Sequence, residues 1–162
     1  MTLLEQRAVQ PFYLAMMGLN ALHNSDALWD DMVAAGRSIT PDETRRLLNV
    51  GAWRPVVMGA WFSTRFTAED VGGELRRAMG ASGGSLTAPP LAAACVAVAG
   101  TAGLEEMNAY VRRDPGCDGS AQIVGAGIEY LGASSAVPVS RGDDEAFRGL
   151  LAVANRLRQA LG

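Results

Sequence analysis

The sequence has no lysine, a single histidine and only two cysteines. Metal sites built on imidazole and thiolate need more of these residues, because a structural zinc ion takes four such ligands. A nucleophilic triad would have to use His23, which stands in the stretch His-Asn-Ser, where a surface or capping role is expected. The shortage therefore predicts a protein that is not an enzyme and that holds no metal or cofactor.

Long apolar runs are also missing. The longest, Leu91–Gly100, is far shorter than the roughly 20 residues that a membrane-spanning helix needs. Near the N-terminus, Glu5 and Arg7 interrupt the apolar stretch that a secretory signal requires. Cys95 lies in an apolar segment and Cys117 in a polar one, a pattern that does not suggest a disulfide framework. These features predict a cytoplasmic protein with reduced thiols and no membrane partner.

Positive charge is in short supply as well. The chain has 14 basic residues, all arginine, against 17 acidic ones, and its formal net charge is −3. Because a mildly acidic protein has no broad electrostatic attraction to nucleic acid, no nucleic-acid partner is predicted. Apolar residues, in contrast, make up 49% of the 162 residues. That content is enough for one folded domain, which is predicted to span residues 1–162.

Helix signals recur along the chain. In the stretch Thr-Pro-Asp-Glu, Thr40 can cap a helix, Pro41 suits its first position and Glu43 can complete a capping box. Residues 53–61 then carry apolar side chains at i, i+3, i+4, i+7 and i+8, which is one face of a helix. Thr67 opens a further helix with Thr-Ala-Glu-Asp.

The sum of these signals predicts an all-α fold. We expect a single domain of about eight or nine short antiparallel helices, with HEAT-like packing of helical hairpins. Residues 11–22 and 25–35 are each predicted as one helix, and Thr101 is predicted to begin another. The run Val-Ala-Val-Ala-Gly before Thr101 has the length of a buried strand, but its alanines and its helical neighbours favour a helix.

Two glycine-rich stretches lack the patterns of nucleotide-binding sites. After Gly125-Ala-Gly127, Tyr130 stands where a dinucleotide fingerprint has its third glycine, so close helix packing is the favoured interpretation. The loop at residues 80–90 lacks the lysine of a P-loop. Asp114 and Asp118 faintly resemble a calcium loop, but their number and spacing favour a plain turn.

Clustered acidic residues are the first candidates for a contact surface. The clusters are Asp26, Asp30 and Asp31; Asp42 and Glu43; and residues 143–145. One interpretation is an acidic surface for a basic partner. The other is that these carboxylates only stabilise the first turns of the predicted helices, through capping and the helix dipole.

Tryptophan and arginine supply the second candidates. Trp29, Trp53 and Trp61 are expected in the core, but Trp53 opens its helix, so it can stay partly exposed beside Arg54 as an interface anchor. Arginine pairs at 45/46, 76/77 and 112/113 can line an edge for acidic ligands, although solvated faces are the favoured interpretation. An enzyme built on arginine and carboxylates alone would use Glu129 and Tyr130.

Four motifs, taken in order, resemble an uncharacterised bacterial family known only as a domain of unknown function. They are PFYLAMM, LLNVGAWRPVVMGAWF, VAVAGTAG and EEMNAYV, and the match covers roughly residues 9–132. In the second motif Trp53-Arg54 is followed seven residues later by Ala60-Trp61-Phe62. This chain departs from the family in having Cys95 without a preceding tyrosine-cysteine pair. The resemblance implies a compact HEAT-type domain with no catalytic residues, and a role as an immunity protein, because relatives occur near bacterial toxin genes.

Together the observations predict a protein-binding domain, and the resemblance narrows it to an immunity protein that neutralises a toxin by occlusion. The predicted contact residues are Asp26, Asp30, Asp31, Asp42, Glu43, Trp53 and Arg54. The alternative is a helical scaffold or regulatory domain that acts as a homo-oligomer through its apolar helices.

Overall fold

The computed structural model describes residues 1–113 and 118–162, so Asp114 and Cys117 lie outside the described residues. Within the described part the chain is 74% helical and has no strand. Its α-helices are α1 Leu3–Ala8, α2 Tyr13–Met16, α3 Ala21–Asn24, α4 Trp29–Ser38, α5 Pro41–Asn49, α6 Trp53–Ser63, α7 Ala68–Gly80, α8 Ala88–Val98, α9 Leu104–Arg113, α10 Ser120–Tyr130 and α11 Arg141–Leu161. Short 3-10 helices cover Asp26–Leu28 and Gly100–Gly103. The predicted all-α fold is confirmed.

The described residues form eleven α-helices, slightly more than the eight or nine predicted. The predicted helix 11–22 is split into α2 and α3 because Gly18 adopts a φ of +55°, a left-handed conformation that an α-helix cannot continue through. The Gly18 N–H instead donates to the Leu86 carbonyl at 2.9 Å. The helix predicted to begin at Thr101 begins at Leu104, after a 3-10 helix.

Local capping signals identified helix starts correctly. Thr40 accepts a hydrogen bond from the backbone N–H of Glu43, whose side chain accepts one from the Thr40 N–H, so the predicted capping box is confirmed. Thr67 forms the same reciprocal pair with Asp70 at the start of α7. Each box satisfies two of the N–H groups that a helix start leaves without partners.

Helix α8 lies at the centre of the core and packs against α6, α7, α10 and α11. It carries no charged residue, and residues 88–96 are all buried. The ambiguous run before Thr101 is helical as far as Val98. Consecutive helices pack as pairs, and these pairs enclose α8 because a helix that is apolar on every side must be covered on every side.

Glycines in α10 allow its neighbours to approach closely. A Cβ on Gly127 would lie 2.7 Å from Met107 Cε of α9 and 3.0 Å from Phe147 Cε2 of α11. A Cβ on Gly125 would lie 2.5 Å from Ser135 Oγ, in the extended segment that follows α10. The small-residue interpretation is therefore confirmed for Gly127, whereas Gly125 makes room for a loop.

The longest helix, α11, has one apolar face and one charged face. Phe147, Leu150, Leu157 and Leu161 of its apolar face are buried, in line with the predicted stripe. Its opposite face carries ion pairs one turn apart, such as Arg148 with Asp144. In the part of the chain that the structure describes, no helix combines the length and the apolar character needed to cross a bilayer.

Candidate functional site

Trp53 and Arg54 are the first two residues of α6. After α5 the chain turns at Gly51, which has a φ of +80°, and runs extended through Ala52. This turn brings the indole to the edge of the domain, where Trp53 is half-buried and Arg54 is exposed. The predicted partial exposure of Trp53 is confirmed.

Tyr13 of α2 completes an aromatic cluster with Trp53. The two rings meet edge to face, with their centroids 5.6 Å apart and an interplanar angle of 76°. The guanidinium carbon of Arg54 lies 4.7 Å from the Trp53 ring centroid and 5.2 Å from that of Tyr13. Such a cation–π contact contributes about 0.5–1 kcal/mol at an exposed site. Tyr13 was not among the predicted contact residues, and its only signal in the sequence is its place in the PFYLAMM motif.

Cavities lie on both sides of the Trp53 indole. The first, which we call the Trp53 cleft, has a volume of about 560 Å³ and lies between Trp53 and the loop that joins α7 to α8. Its apolar lining includes Leu48, Trp53, Val56, Ala78 and Leu86. The second, the Arg54 pocket, has a volume of about 480 Å³ and is lined by Tyr13, Trp53 and Arg54 among others. Trp53 therefore forms a wall of both cavities.

The loop between α7 and α8 forms the far wall of the Trp53 cleft. The hydroxyl oxygens of Ser82 and Thr87 lie 2.6 Å apart inside it. On one side its Leu86 carbonyl accepts from Gly18, and on the other its Ser82 carbonyl accepts from Arg113 at 3.1 Å. Because contacts from distant parts of the chain fix both sides of the loop, this wall is held in place without a ligand.

Asp118 lies at the rim of the Trp53 cleft. Its carboxylate accepts hydrogen bonds from the Ser120 hydroxyl at 2.5 Å, the Ser120 N–H at 2.9 Å and the Ser85 N–H at 3.0 Å. The Ser120 hydroxyl contributes most to lowering the pKa of Asp118 below its ordinary value, so the carboxylate is ionised at neutral pH. The sequence analysis assigned Asp118 only to a turn, and no local signal in the sequence points to the cleft.

Of the described residues that line the Trp53 cleft, Asp118 is the only charged one. None of the ion pairs in the described part of the chain includes it. Arg54, on the other side of the indole, likewise takes part in none of these ion pairs. Trp53 is thus flanked by one uncompensated negative charge and one uncompensated positive charge.

The first acidic cluster lies at the start of α4 and just before it. Asp26 pairs with Arg156 of α11 at 2.6 Å, and the Arg156 guanidinium carbon sits 3.7 Å from the centre of the Trp29 ring. Trp29 is half-buried: it packs against the core, but the arginine from α11 also covers its ring. Asp30 and Asp31 are exposed, and no ion pair between described residues includes them.

The second acidic cluster lies at the other end of α4. Glu43 pairs with Arg7 of α1 at 2.5 Å, and Arg7 also donates to Ser38 at the last turn of α4. Asp42 pairs with Arg45 within α5. The ten residues of α4 span about 15 Å, and they separate the two clusters. The structure therefore does not bring the predicted acidic residues together around Trp53.

Other candidate residues occupy separate places in the fold. His23 is exposed in the last turn of α3, and Glu129 is exposed in α10. Burial raises the pKa of the Cys95 thiol to about 12, so this thiol is protonated and unreactive at neutral pH. Tyr130 packs against Phe147 and lines neither cavity beside Trp53. Among residues 1–113 and 118–162, no three His, Cys, Asp or Glu side chains lie close enough together to hold a metal ion.

No family model, curated protein or solved structure matches this chain. The resemblance to the uncharacterised bacterial family accordingly stays a prediction. The surface on both sides of Trp53 must be interpreted from its own geometry.

Proposed function

We propose that the chain is a protein-binding domain whose contact site is the surface on both sides of Trp53. The observation that carries the proposal is a half-buried tryptophan that forms a wall of two cavities and stacks against an arginine. Tryptophan, tyrosine and arginine are the residues most enriched among those that dominate interface energies. Trp53, Tyr13 and Arg54 bring all three together. Binding of this kind needs no catalytic group, metal or cofactor.

The site is ordered before any partner arrives. Tyr13 holds the Trp53 ring edge to face, and Arg54 contacts both rings. Because immobilising a side chain on binding costs about 0.5–1.5 kcal/mol, an anchor that is already fixed retains more of its contact energy as affinity. Trp53 has the properties of such an anchor.

Charge favours a basic partner over a second copy of this chain. The net charge is −3, and the described residues that line the Trp53 cleft contribute one carboxylate and no basic group. Opposite charge steers association and speeds it, whereas two copies of an acidic chain repel each other at long range. The exposed Asp30 and Asp31 add to the negative field at a distance from the cleft.

The narrower hypothesis is an immunity protein that neutralises a bacterial toxin by occlusion in the cytoplasm. Its support is the family resemblance, together with the match between an acidic chain and a basic nuclease toxin. Co-expression with each toxin candidate encoded beside the gene tests it. The expected result is that the wild type restores growth and Trp53→Ala does not. If none of the neighbouring toxin candidates inhibits growth, whether or not the gene is present, the hypothesis is contradicted.

Site-specific cross-linking tests the binding site itself. A photoreactive p-benzoylphenylalanine in place of Leu86, on the wall of the Trp53 cleft, is expected to cross-link one basic protein in the native cells. Trp53→Ala should lower the affinity for that protein by roughly thirtyfold, as expected for a residue that dominates an interface. Trp29→Ala is the matched control, because it removes another half-buried tryptophan from a different surface.

The control should change the affinity by no more than about threefold, provided that circular dichroism shows both variants folded. A partner that both variants bind equally well, or the absence of any cross-link from position 86, would overturn the proposed site.

A homo-oligomeric scaffold is the second candidate. Among the described residues, four of the seven exposed large apolar side chains belong to the first 19 positions: Met1, Leu3, Leu14 and Leu19. An apolar surface of this kind can pair with a second copy. The mass in solution at several concentrations decides, with Leu14→Glu as the variant expected to disrupt a dimer. A monomer at every concentration removes this candidate.

A further inference from the structure

Asp118 has hydrogen bonds but no ion pair with any other residue that the structure describes. Its three donors are an N–H of Ser85 and the N–H and hydroxyl of Ser120, all of them neutral groups. These donors explain why the carboxylate is held in one position at the start of α10. They do not neutralise it, and the negative charge lies at a cavity whose other described lining residues are uncharged.

The arginine that contacts the same loop is engaged elsewhere. The guanidinium of Arg113 donates to the carbonyls of Gly80 and Ser82 and lies 5.3 Å from the centre of the Tyr110 ring. No ion pair of the described residues joins it to Asp118. The chain therefore supplies no cation to the Trp53 cleft from the residues that the structure describes.

The shape of the cleft matches a group with an apolar stem and a charged end. Trp53, Val56 and Leu86 offer apolar surface, and Asp118 stands at the rim. Arginine and lysine bury their methylene stems along apolar surface while the charged end reaches a polar partner. The volume of about 560 Å³ lies in the range of ligand-binding cavities, roughly 300–1,000 Å³, so it also has room for an apolar neighbour of the basic residue.

We propose that the Trp53 cleft binds one basic side chain of the partner protein, with the cationic end at Asp118 and the stem against Trp53. This inference rests on the proposed function and names the feature of the partner that the site recognises. An arginine suits the site best, because its planar guanidinium can stack on the indole and donate to a carboxylate at the same time. The indole then supplies contact area, and Asp118 supplies the preference for a positive charge.

Short peptides test the inference on the full chain without a known partner. The probes are acetyl-Leu-Arg-Leu-amide and the same peptide with citrulline, which has the shape of arginine but no charge. Binding is followed by two-dimensional NMR of the backbone and of the tryptophan indoles. The arginine peptide is expected to shift the signals of Ser85, Leu86 and the Trp53 indole, and to bind at least about tenfold more tightly than the citrulline peptide.

Two variants identify the carboxylate responsible. Asp118→Asn is expected to abolish the tenfold preference for arginine over citrulline. Glu69→Gln removes the same charge from an exposed position at the start of α7 that no ion pair between described residues includes, and it should leave the preference unchanged. Because Asp118→Asn can also disturb the loop at Ser85, the comparison of the two peptides on the wild-type protein stands as an independent measurement.

Each alternative result has a defined meaning. Equal affinity for the arginine and citrulline peptides, or shifts confined to another surface, would overturn the inference. The proposed function would still be tested separately, by the cross-linking and affinity measurements with Trp53→Ala and Trp29→Ala. Butylguanidinium is the third probe: if this free cation binds as tightly as the arginine peptide, the cleft is a site for small cations and the assignment to a partner's side chain is wrong.

Discussion

Trp53 and Trp61 lie on the same helix and were predicted on the same face, yet their surroundings differ completely. Trp61 is fully buried, and its indole N–H donates to the Met16 carbonyl at 2.9 Å. Trp53, two turns earlier, is half-buried, lines two cavities, meets Tyr13 edge to face and lies under the Arg54 guanidinium. One tryptophan holds the domain together, whereas the other presents an aromatic surface at its edge.

The difference shows that periodicity assigns a residue to a face but not to a depth. In the first turn of α6 Trp53 is half-buried and Arg54 is exposed, whereas residues 57–63 are all buried. Trp53, at the start of the helix, therefore packs against the domain on one side and contacts solvent on the other. If the two residues have separate roles, substitution of Trp61 should affect folding far more than substitution of Trp53.

Trp61→Ala should have the largest effect. Removing a buried tryptophan leaves a cavity and costs about 3–5 kcal/mol of the free energy of unfolding. Urea denaturation measures the loss. Trp61→Phe is the companion variant: it keeps most of the apolar volume but leaves the Met16 carbonyl without its donor, at a cost of about 1–3 kcal/mol. If Trp61→Ala destabilised the protein less than Trp53→Ala, the assignment of the two roles would be wrong.

The buried Cys95 thiol should make the free energy of unfolding fall at alkaline pH. Burial raises the pKa of this thiol from its ordinary value near 9 to about 12, and the nearby charge of Glu106 adds to the shift. Below pH 9 both states keep the proton and the thiol has no effect on stability. Between pH 9 and 12 the unfolded chain releases the proton while the folded chain retains it. The free energy of unfolding should therefore fall by about 1.4 kcal/mol per pH unit.

The matched control for this prediction is Cys95→Ala, which keeps Cys117 and the tyrosines that also titrate. The difference between wild type and variant should slope with pH above 9 and stay flat below it. A flat difference throughout would mean that the Cys95 thiol ionises as easily in the folded protein as in the unfolded chain.

Trp53→Ala should lower stability by a smaller amount, about 1–2 kcal/mol, because it removes an edge-to-face ring pair and an exposed cation–π contact. The same urea titrations used for Trp61 give the value. The variant should remain folded and cooperative, which separates a loss of binding from a loss of structure. A broad or non-cooperative transition would place Trp53 in the core after all.

Arg54→Ala should have the smallest effect on folding, below about 1 kcal/mol, since the side chain is exposed and its main contacts are the two rings. Arg54→Lys retains the charge but not the planar stacking group. Thermal denaturation of both variants should give midpoints within a few degrees of the wild type. A large drop in either midpoint would show that Arg54 has a structural role beyond this cluster.

The helix starts were predictable because their signals are local. The capping boxes at Thr40 and Thr67 each depend on groups three residues apart, so the pattern in the chain already contains both partners. The central place of α8 was predictable for a related reason, since a segment without charge on any side has to be buried. Helix boundaries were predicted wrongly where a contact with a residue distant in sequence accompanies the break. Gly18 breaks a predicted helix while donating to Leu86.

The residues of the candidate site likewise divide into those that the sequence could identify and those that it could not. Trp53 and Arg54 could be named from the sequence because they open a helix directly after a turn. Tyr13 and Asp118 could not, because each reaches Trp53 or its cleft only through the packing of other helices. Trp29 was assigned to the core because its position on α4 fitted an apolar stripe, and the arginine that covers it comes from α11.

The sequence by itself therefore determined the helical class, the capped helix starts and the buried centre of the domain, because these follow from side chains close together in the chain and from the need to remove apolar surface from water. Only the tertiary structure decided which tryptophan stays at the edge, that Asp26 and Glu43 pair with distant arginines, and that Asp118 and Trp53 line the same cleft. Those features depend on side chains that are far apart in sequence and meet only when the helices and the loop after α7 pack together.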